Sequence, residues 1–219
     1  MDKKRVQESI LSRPERRILN WFCLKMPSWV SPDTLTFTTF FSAIFMLLFY
    51  HLAKYNRYFL FVVSFFILLV WFGDSLDGSL ARFRKRERPK YGYYIDHLLD
   101  FVTVFIIYFG FIAYGIGVIP ASLVLAAYSL LFCHSIVLCS INKELTISFG
   151  KISPTEIRIL LIIINLLLFL KQEHYVEIIF YVFSIVTLIY ASYEITKTAI
   201  KLNKEDMLKI NNKFKKKRS

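Results

Sequence analysis

Long apolar runs are the feature that most constrains the fold of this chain. We read six of them, at roughly residues 34–53, 58–82, 92–114, 118–141, 155–171 and 174–196. Apolar runs of about 17 residues or more are typical of membrane-spanning helices, because backbone groups inside lipid must satisfy their own hydrogen bonds. The sequence therefore predicts an all-α membrane protein, a six-transmembrane-helix bundle.

The lysines and arginines are distributed unevenly around these spans. Of the 28, seven precede residue 30, six lie in the 82–90 connection, three lie in 143–158 and nine follow from Lys197 onward. The alternate connections hold only Lys54, Arg57 and Lys171. The positive-inside rule then predicts that both termini and the 82–90 connection are cytoplasmic. We expect the membrane to be a bacterial plasma membrane.

The net charge of +12 follows from this topology and from contact with anionic membrane lipids, so we predict no nucleic-acid partner. Three regions are expected. Residues 1–30 form a cytoplasmic juxtamembrane segment, residues 31–200 form the six-helix membrane domain, and residues 201–219 form a basic, flexible cytoplasmic tail that begins soon after the last span ends.

The juxtamembrane segment mixes apolar residues with arginines. Residues 12–26 are predicted to form an N-terminal amphipathic helix on the cytoplasmic membrane surface. Ser12 followed by Glu15 resembles a capping box at the start of this helix. The alternative is an ordered tether with no part in the chemistry. Ser31, just before Pro32, is predicted to cap the first span.

Four aspartates lie between, and partly inside, the second and third spans, where carboxylates are costly. Asp74 and Asp77 share one face of a helix by their spacing, and Asp96 and Asp100 share one face of the next helix. The connection FRKRERPKY is charged and broken by Pro89, which predicts an antiparallel hairpin. Asp74 and Asp100 lie about 12 and about 15 Å along their helices from this connection, so the carboxylates can meet at similar depth.

Such a cluster repels itself unless positive charge lies within it. Arg82 alone cannot neutralise four carboxylates, whereas two divalent cations can. An oxygen-only ligand set is what Mg²⁺ or Mn²⁺ prefers, and two ions that share aspartates suit phosphoryl chemistry. Gly78 and Ala81 leave room for a nucleotide or diphosphate, and Arg82 can donate paired hydrogen bonds to phosphate. The alternative, a structural ion-pair knot, would leave several charges unpaired.

The motif DSLDGSLAR, a connection and then GYYIDHLLD resembles the signature of the CDP-alcohol phosphatidyltransferase family. All eight fixed positions are present: Asp74, Asp77, Gly78, Ala81, Arg82, Gly92, Asp96 and Asp100. Nine residues separate the arginine from the following glycine, where the family usually has eight, and insertion in a connection costs little. The signature covers 27 residues. The six spans and the surface helix extend the resemblance to most of the chain, without assigning a subfamily.

The resemblance implies a transferase of phospholipid biosynthesis. Such an enzyme moves the phosphoryl-alcohol group of a CDP-alcohol onto the hydroxyl of an acceptor alcohol and releases CMP. By analogy, Asp74, Asp77 and Asp96 are metal ligands for two Mg²⁺ or Mn²⁺ ions. Asp100 is implied to be the general base and a further metal ligand. The family resemblance also suggests a homodimer.

The donor pocket and the acceptor site are assigned by the same resemblance. Gly78, Ala81 and Arg82 would line the CDP-alcohol pocket. SPDTLT at 31–36 resembles the family's Pro-Asn-x-Leu-Thr, which adds Thr36 and Asp33. Asp33 replaces an asparagine, and an ionised carboxylate only accepts hydrogen bonds, so helix N-terminal charge is its alternative role.

The start of the fifth span carries the candidate acceptor-binding residues, because this region often binds the second alcohol in the family. They are Lys151, Glu156 and Arg158. Their alternative role is a helix start with positive-inside charge.

Three other interpretations compete with this one. An intramembrane prenyltransferase also uses aspartate motifs and Mg²⁺, but it needs two motifs on distant helices and more spans. A divalent-cation transporter or scaffold would need polar residues deep in several spans, and spans three to six are nearly bare of them. An inactive family member would be expected to lack a fixed position. The choice of donor and acceptor alcohol, and the role of His97, stay open at this point.

Overall fold

The computed structural model describes residues 12–142 and 154–216, which fold into seven α-helices and their short connections. The helices are α1 (Ser12–Lys25), α2 (Pro32–Ala53), α3 (Phe59–Phe83), α4 (Pro89–Tyr114), α5 (Val118–Asn142), α6 (Pro154–Phe169) and α7 (Glu173–Lys216). Within those ranges every regular element is helical, as the apolar runs predicted.

Five of these helices are long and apolar enough to cross a membrane: α2, α3, α4, α5 and α7. The chain is therefore an integral membrane protein. Helix α6 is apolar, but its 16 residues extend only about 24 Å, less than the ~30 Å of a bilayer core. The sixth span thus stays a prediction.

Helix α7 is much longer than the sequence predicted. Its 44 residues continue to Lys216, about 66 Å in all, whereas we expected the span to end near residue 196 and a flexible tail to follow. Lys197 pairs with Glu194 at 3.2 Å, and Lys209 pairs with Asp206 at 3.5 Å, each one turn apart. Such pairs support a helix in water. The expectation of a flexible tail is wrong for residues 201–216, because charged residues mark the edge of lipid and not the end of a helix. The end of the span near residue 196 stays a prediction.

The described helices pack as a closed ring in the order α2, α3, α6, α7, α5, α4 and back to α2. Helix α2 packs against both α3 and α4, and direct packing between α3 and α4 is slight at most. The hairpin expected from the sequence is therefore not a closely packed pair. The two aspartate-bearing helices instead pack on either side of α2.

Two glycines set the spacing of this arrangement. A Cβ atom at Gly73 would lie 2.2 Å from Thr39 Oγ1 and 2.9 Å from the Leu35 carbonyl oxygen. A Cβ atom at Gly110 would lie 2.4 Å from the Tyr50 ring. Small residues allow membrane helices to approach closely. Gly73 therefore holds α3 against α2, and Gly110 holds α4 against α2.

The ring is filled at the end away from the aspartates. Its core there contains Met46, Tyr50, Leu60, Val63, Ile67, Phe111, Tyr114, Leu168, Val176 and Phe180. Tyr50 Oη donates to Asn165 Oδ1 at 2.9 Å, and both side chains are fully buried. At the rim, Arg57 Nη2 donates to Glu173 Oε1 at 3.0 Å. Close packing and the Tyr50–Asn165 hydrogen bond therefore fill this end of the protein.

Helix α1 packs on the other end of α3. Leu19 and Cys23 are buried with Leu76 and Leu80 of α3, and burial raises the pKa of the Cys23 thiol. Exposed apolar side chains on the rest of α1 include Ile18, Trp21 and Leu24. Those side chains suit a membrane surface, which stays a prediction.

Helix α2 begins as the sequence predicted. Ser31 Oγ accepts a hydrogen bond from the Thr34 backbone N–H at 3.1 Å, so Ser31 caps the helix. Arg84 Nη2 donates to the Pro27 carbonyl at 2.8 Å and to the Met26 carbonyl at 3.1 Å. The connection between α1 and α2 is thereby held against the end of α3.

We expect Gly73→Ala to destabilise the protein, because the added methyl group meets a backbone oxygen that cannot rotate away. Overpacking costs about 1–3 kcal/mol, more than the ~1 kcal/mol that alanine gains in helix propensity. Thermal unfolding in detergent measures the effect. Gly92→Ala is the matched control, because no atom of the residues that the structure describes lies within 4 Å of its added Cβ. An unfolding midpoint of Gly73→Ala equal to that of Gly92→Ala would contradict the close-approach argument.

Candidate active site

The four aspartates of the motif lie at the end of the ring away from the core that contains Tyr50. Asp74 and Asp77 come from α3, and Asp96 and Asp100 come from α4. The charges of the other three all act on Asp100, and those of Asp74 and Asp96 act on Asp77. Four carboxylates from two helices therefore share one electrostatic environment.

A cation from α6 enters this cluster. Arg158 Nη2 donates to Asp74 Oδ2 at 2.6 Å, with the two side chains 13% and 26% exposed. Its charge also acts on Asp100. The sequence offered Arg82 as a positive group, and Arg82 donates to Ser79 Oγ at 3.2 Å one turn away on α3. The cation that pairs with Asp74 thus comes from a residue 84 positions away in the chain.

Asp77 is the most buried of the four, with 7% of its surface exposed. Thr36 Oγ1 of α2 donates to its Oδ2 at 2.8 Å, and the Gly78 backbone N–H donates to its Oδ1. Hydrogen bonds to a charged acceptor are strong and directional. The start of α2 therefore fixes the orientation of one carboxylate in the cluster.

The donor chemistry of the cluster fits a hard divalent cation, because only oxygen ligands converge there. No three of the described carboxylate, histidine or cysteine side chains form a ready ligand shell, although all four aspartates interact electrostatically. One oxygen of Asp74 faces Arg158 instead. A carboxylate has about four lone-pair sites, so this contact does not prevent metal ligation. The residues that would hold the ions are Asp74, Asp77, Asp96 and Asp100.

The predicted nucleotide-side residues lie along α3 and at the start of α4. A Cβ atom at Gly78 would lie 3.4 Å from Arg82 Nη1, so the arginine passes close over the glycine. Ala81, one turn beyond Gly78, is half-buried. Among the described residues, no atom lies within 4 Å of a Cβ atom placed on Gly92. Contacts with the described part of the chain therefore do not require a glycine at position 92.

Asp33 has a partner in the α3–α4 connection. Arg88 Nη2 donates to its Oδ1, and both side chains are about half exposed. The Arg88 guanidinium also lies 4.4 Å from the centre of the Tyr91 ring. Asp33 thus ties the start of α2 to this connection.

The acceptor-side residues divide into three cases. Arg158 lies at the aspartates, and Glu156 is half-buried in the first turn of α6. Lys151 lies outside the described residues.

His97 packs between α4 and α5, with its ring 4.2 Å from that of Tyr93 and 6.3 Å from that of Phe132.

Two residues at the site were missed by the sequence analysis. Tyr128 of α5 lies within reach of the charges of Asp100, Arg158 and Asp74, and its ring stacks on Phe132 at 6.1 Å. A single tyrosine in an apolar helix carries no signal of such a position. Glu15 of α1, read as half of a capping box, contacts α3 and α6 through one carboxylate oxygen.

The fold and the site define a helical integral membrane protein built around a carboxylate–arginine cluster. The sequence model for CDP-alcohol phosphatidyltransferase matches residues 29–190, which contain α2 to α6 and all four aspartates. The chain belongs to the CDP-alcohol phosphatidyltransferase family. It is an enzyme of this phosphotransferase family, whose members transfer a phosphoalcohol group from a CDP-alcohol in lipid synthesis. No curated protein matches the chain in sequence.

We predict that Arg158→Gln lowers the thermal unfolding midpoint in EDTA, because the change leaves the carboxylates without their nearest cation. Breaking a buried ion pair costs up to about 3–5 kcal/mol, and the partial exposure of this pair reduces that figure. Added Mg²⁺ or Mn²⁺ should reduce the difference in unfolding midpoint between Arg158→Gln and the wild type.

Arg88→Gln breaks the exposed pair with Asp33 and is the control, with little expected effect. Equal decreases of the unfolding midpoint in the two variants would contradict the idea that Arg158 balances the charge of the aspartates. A midpoint of Arg158→Gln that Mg²⁺ does not raise toward the wild-type value would contradict it as well.

Proposed function

We propose that the protein is a metal-dependent transferase that moves the phosphoryl-alcohol group of a CDP-alcohol onto the hydroxyl of an acceptor alcohol and releases CMP. The observation that carries the proposal is the convergence of four aspartates and Arg158 at one end of the ring. This arrangement suits a diphosphate, because oxygen ligands can hold divalent cations against it and a guanidinium can bind phosphate directly.

The four aspartates are proposed to hold two Mg²⁺ or Mn²⁺ ions. When bound, the ions would supply positive charge to the diphosphate and balance the carboxylates. Asp77 is held for this role by Thr36 of α2. Asp74 is held by Arg158 of α6. Two helices outside the motif therefore pre-orient its carboxylates, which lowers the cost of arranging them during binding.

The CDP-alcohol is proposed to lie along α3, over Gly78, Ala81 and Arg82. Gly78 has no side chain to obstruct a diphosphate, and Arg82 beside it can turn from Ser79 to a phosphate oxygen. Thr36 and Asp33 would border the nucleotide from the start of α2. Because Asp33 is bound to Arg88, we assign it to holding the α3–α4 connection at the pocket rather than to base recognition.

Asp100 is proposed as the general base. It would take the proton of the acceptor hydroxyl as that oxygen attacks the phosphorus bearing the donor's alcohol. One phosphorus–oxygen bond forms, the bond to the CMP oxygen breaks, and CMP leaves. Arg158, next to Asp74 and Asp100, would hold the polar part of the acceptor, and Glu156 and Lys151 are assigned to the same side.

The cellular setting follows from the charge distribution. We propose a bacterial plasma membrane, with both termini and the active site on the cytoplasmic side. The basic terminal segments would contact anionic lipid. We further propose that the enzyme works as a homodimer.

The test of the proposed function is one assay on the purified protein. It combines Mg²⁺ or Mn²⁺ with a panel of CDP-alcohols and acceptor alcohols, and CMP release is the readout. Metal-dependent CMP release with at least one pair is expected. Its absence with every pair would refute the proposal.

Asp100→Asn should retain metal-dependent binding of the CDP-alcohol and lose turnover, because an amide cannot take the acceptor's proton. General-base catalysis contributes about 10²–10⁴-fold, so CMP release should fall by about that factor. Binding and turnover are measured on the same preparation. Near-normal CMP release would assign the base to another group.

Asp77→Ala should abolish metal-dependent nucleotide binding, because it removes the carboxylate that Thr36 orients in the cluster. Calorimetric titration with a CDP-alcohol, with and without Mg²⁺, measures the loss. Asp206→Ala, on the distant and exposed end of α7, is the control and should bind normally. Tight metal-dependent binding by Asp77→Ala would be incompatible with the proposed metal site.

A further inference from the structure

Glu15 of α1 accepts three hydrogen bonds through a single oxygen. The donors to Oε1 are Trp71 Nε1 at 3.3 Å, Ser75 Oγ at 3.2 Å and Thr155 Oγ1 at 3.2 Å. Trp71 and Ser75 belong to α3, and Thr155 belongs to α6. One carboxylate of the juxtamembrane segment therefore joins two helices of the membrane domain.

These donors lie next to the residues of the cluster. Ser75 directly follows Asp74 in α3, and Thr155 lies three residues, about one turn, before Arg158 in α6. Arg158 and Asp74 form the ion pair between the same two helices. Glu15 and this pair thus connect α3 to α6 at two neighbouring levels.

The two helices depend on Glu15 to different extents. Helix α3 is fixed independently by its packing on α2, including the close approach at Gly73. The described part of α6 begins at Pro154, so Thr155 and Arg158 lie in its first two turns, where helices fray. Loss of the Glu15 contact should therefore move the start of α6 more than α3, and Arg158 with it.

We propose that Glu15 is a positioning residue for Arg158, so that α1 is part of the frame of the active site and more than a tether. The inference rests on the proposed function, because Arg158 is assigned there to the acceptor. Glu15 itself contacts no reacting group. Its effect passes through Thr155 to the first two turns of α6.

The experiment compares Glu15→Ala, Glu15→Gln and Asn20→Ala in the full-length protein. Alanine removes the acceptor oxygen, whereas glutamine keeps a carbonyl oxygen at the same place. Asn20 is an exposed polar residue of α1 and is the matched control. Hydrogen–deuterium exchange of peptides covering residues 155–165 reports on the start of α6 without turnover, and steady-state kinetics with a productive substrate pair report on catalysis.

Glu15→Ala should speed exchange in residues 155–165 and raise the KM for the acceptor by about tenfold, since small displacements of a binding group are costly. The KM for the CDP-alcohol should change less than about twofold, because its proposed pocket lies along α3. In Glu15→Gln, the exchange rate of residues 155–165 and the acceptor KM should stay close to the wild-type values. Asn20→Ala should match the wild type in both measurements. A purely structural role would lower the unfolding temperature while leaving the acceptor KM unchanged, and that outcome would overturn the proposal.

Thr155→Val supplies a second line, because it removes one donor and preserves the shape of the side chain. Combined with Glu15→Ala, it should add little further to the acceptor KM, as expected for residues that act through one contact. Full additivity would overturn the proposed route through Thr155.

The two proposals fail in different ways. If the wild type releases no CMP with any substrate pair, the proposed function fails, and the exchange measurement still decides whether Glu15 holds the start of α6. Unchanged exchange in Glu15→Ala would overturn the positioning role even in a fully active enzyme.

Discussion

The mutual repulsion of four carboxylates is the constraint around which this molecule is arranged. Asp74, Asp77, Asp96 and Asp100 come from two helices that both pack on α2. Each carboxylate whose contacts are described is oriented from outside its own helix: Arg158 of α6 binds Asp74, and Thr36 of α2 binds Asp77. Negative charge within apolar helices is tolerable only with such partners. The ring of helices is what brings those partners to the cluster.

Close contacts at the glycines and in the buried core hold α2, α3, α4 and α6 in fixed positions around the aspartates. Gly73 directly precedes Asp74 in α3. The close contact of Gly73 with α2 therefore also fixes the position of Asp74 relative to α2. At the opposite end, buried Tyr50 and Asn165 join α2 to α6. At Gly92, by contrast, no atom of the described residues lies within 4 Å of an added Cβ atom.

Local patterns predicted the helices, the faces that carry the aspartates and the cap at Ser31, because each depends on residues within one or two turns. The contacts that complete the cluster join distant positions: Thr36 and Asp77 are 41 positions apart, and Asp74 and Arg158 are 84 positions apart. Such contacts depend on the packing order of the helices, which hydropathy does not encode. The expected pairing of α3 with α4 was overridden for the same reason, since glycine contacts bring each of them to α2. The end of α7 was misplaced because composition marks lipid boundaries better than helix boundaries.

The filled core at one end of the ring has a consequence for membrane asymmetry. If substrates reach the proposed site only from the aspartate end, the lipid formed would leave into the leaflet that supplied the lipid substrate. CMP would then be released on the same side of the membrane. Synthesis of this kind enlarges a single leaflet, and the bilayer would then depend on separate flipping proteins to keep its two faces equal in area.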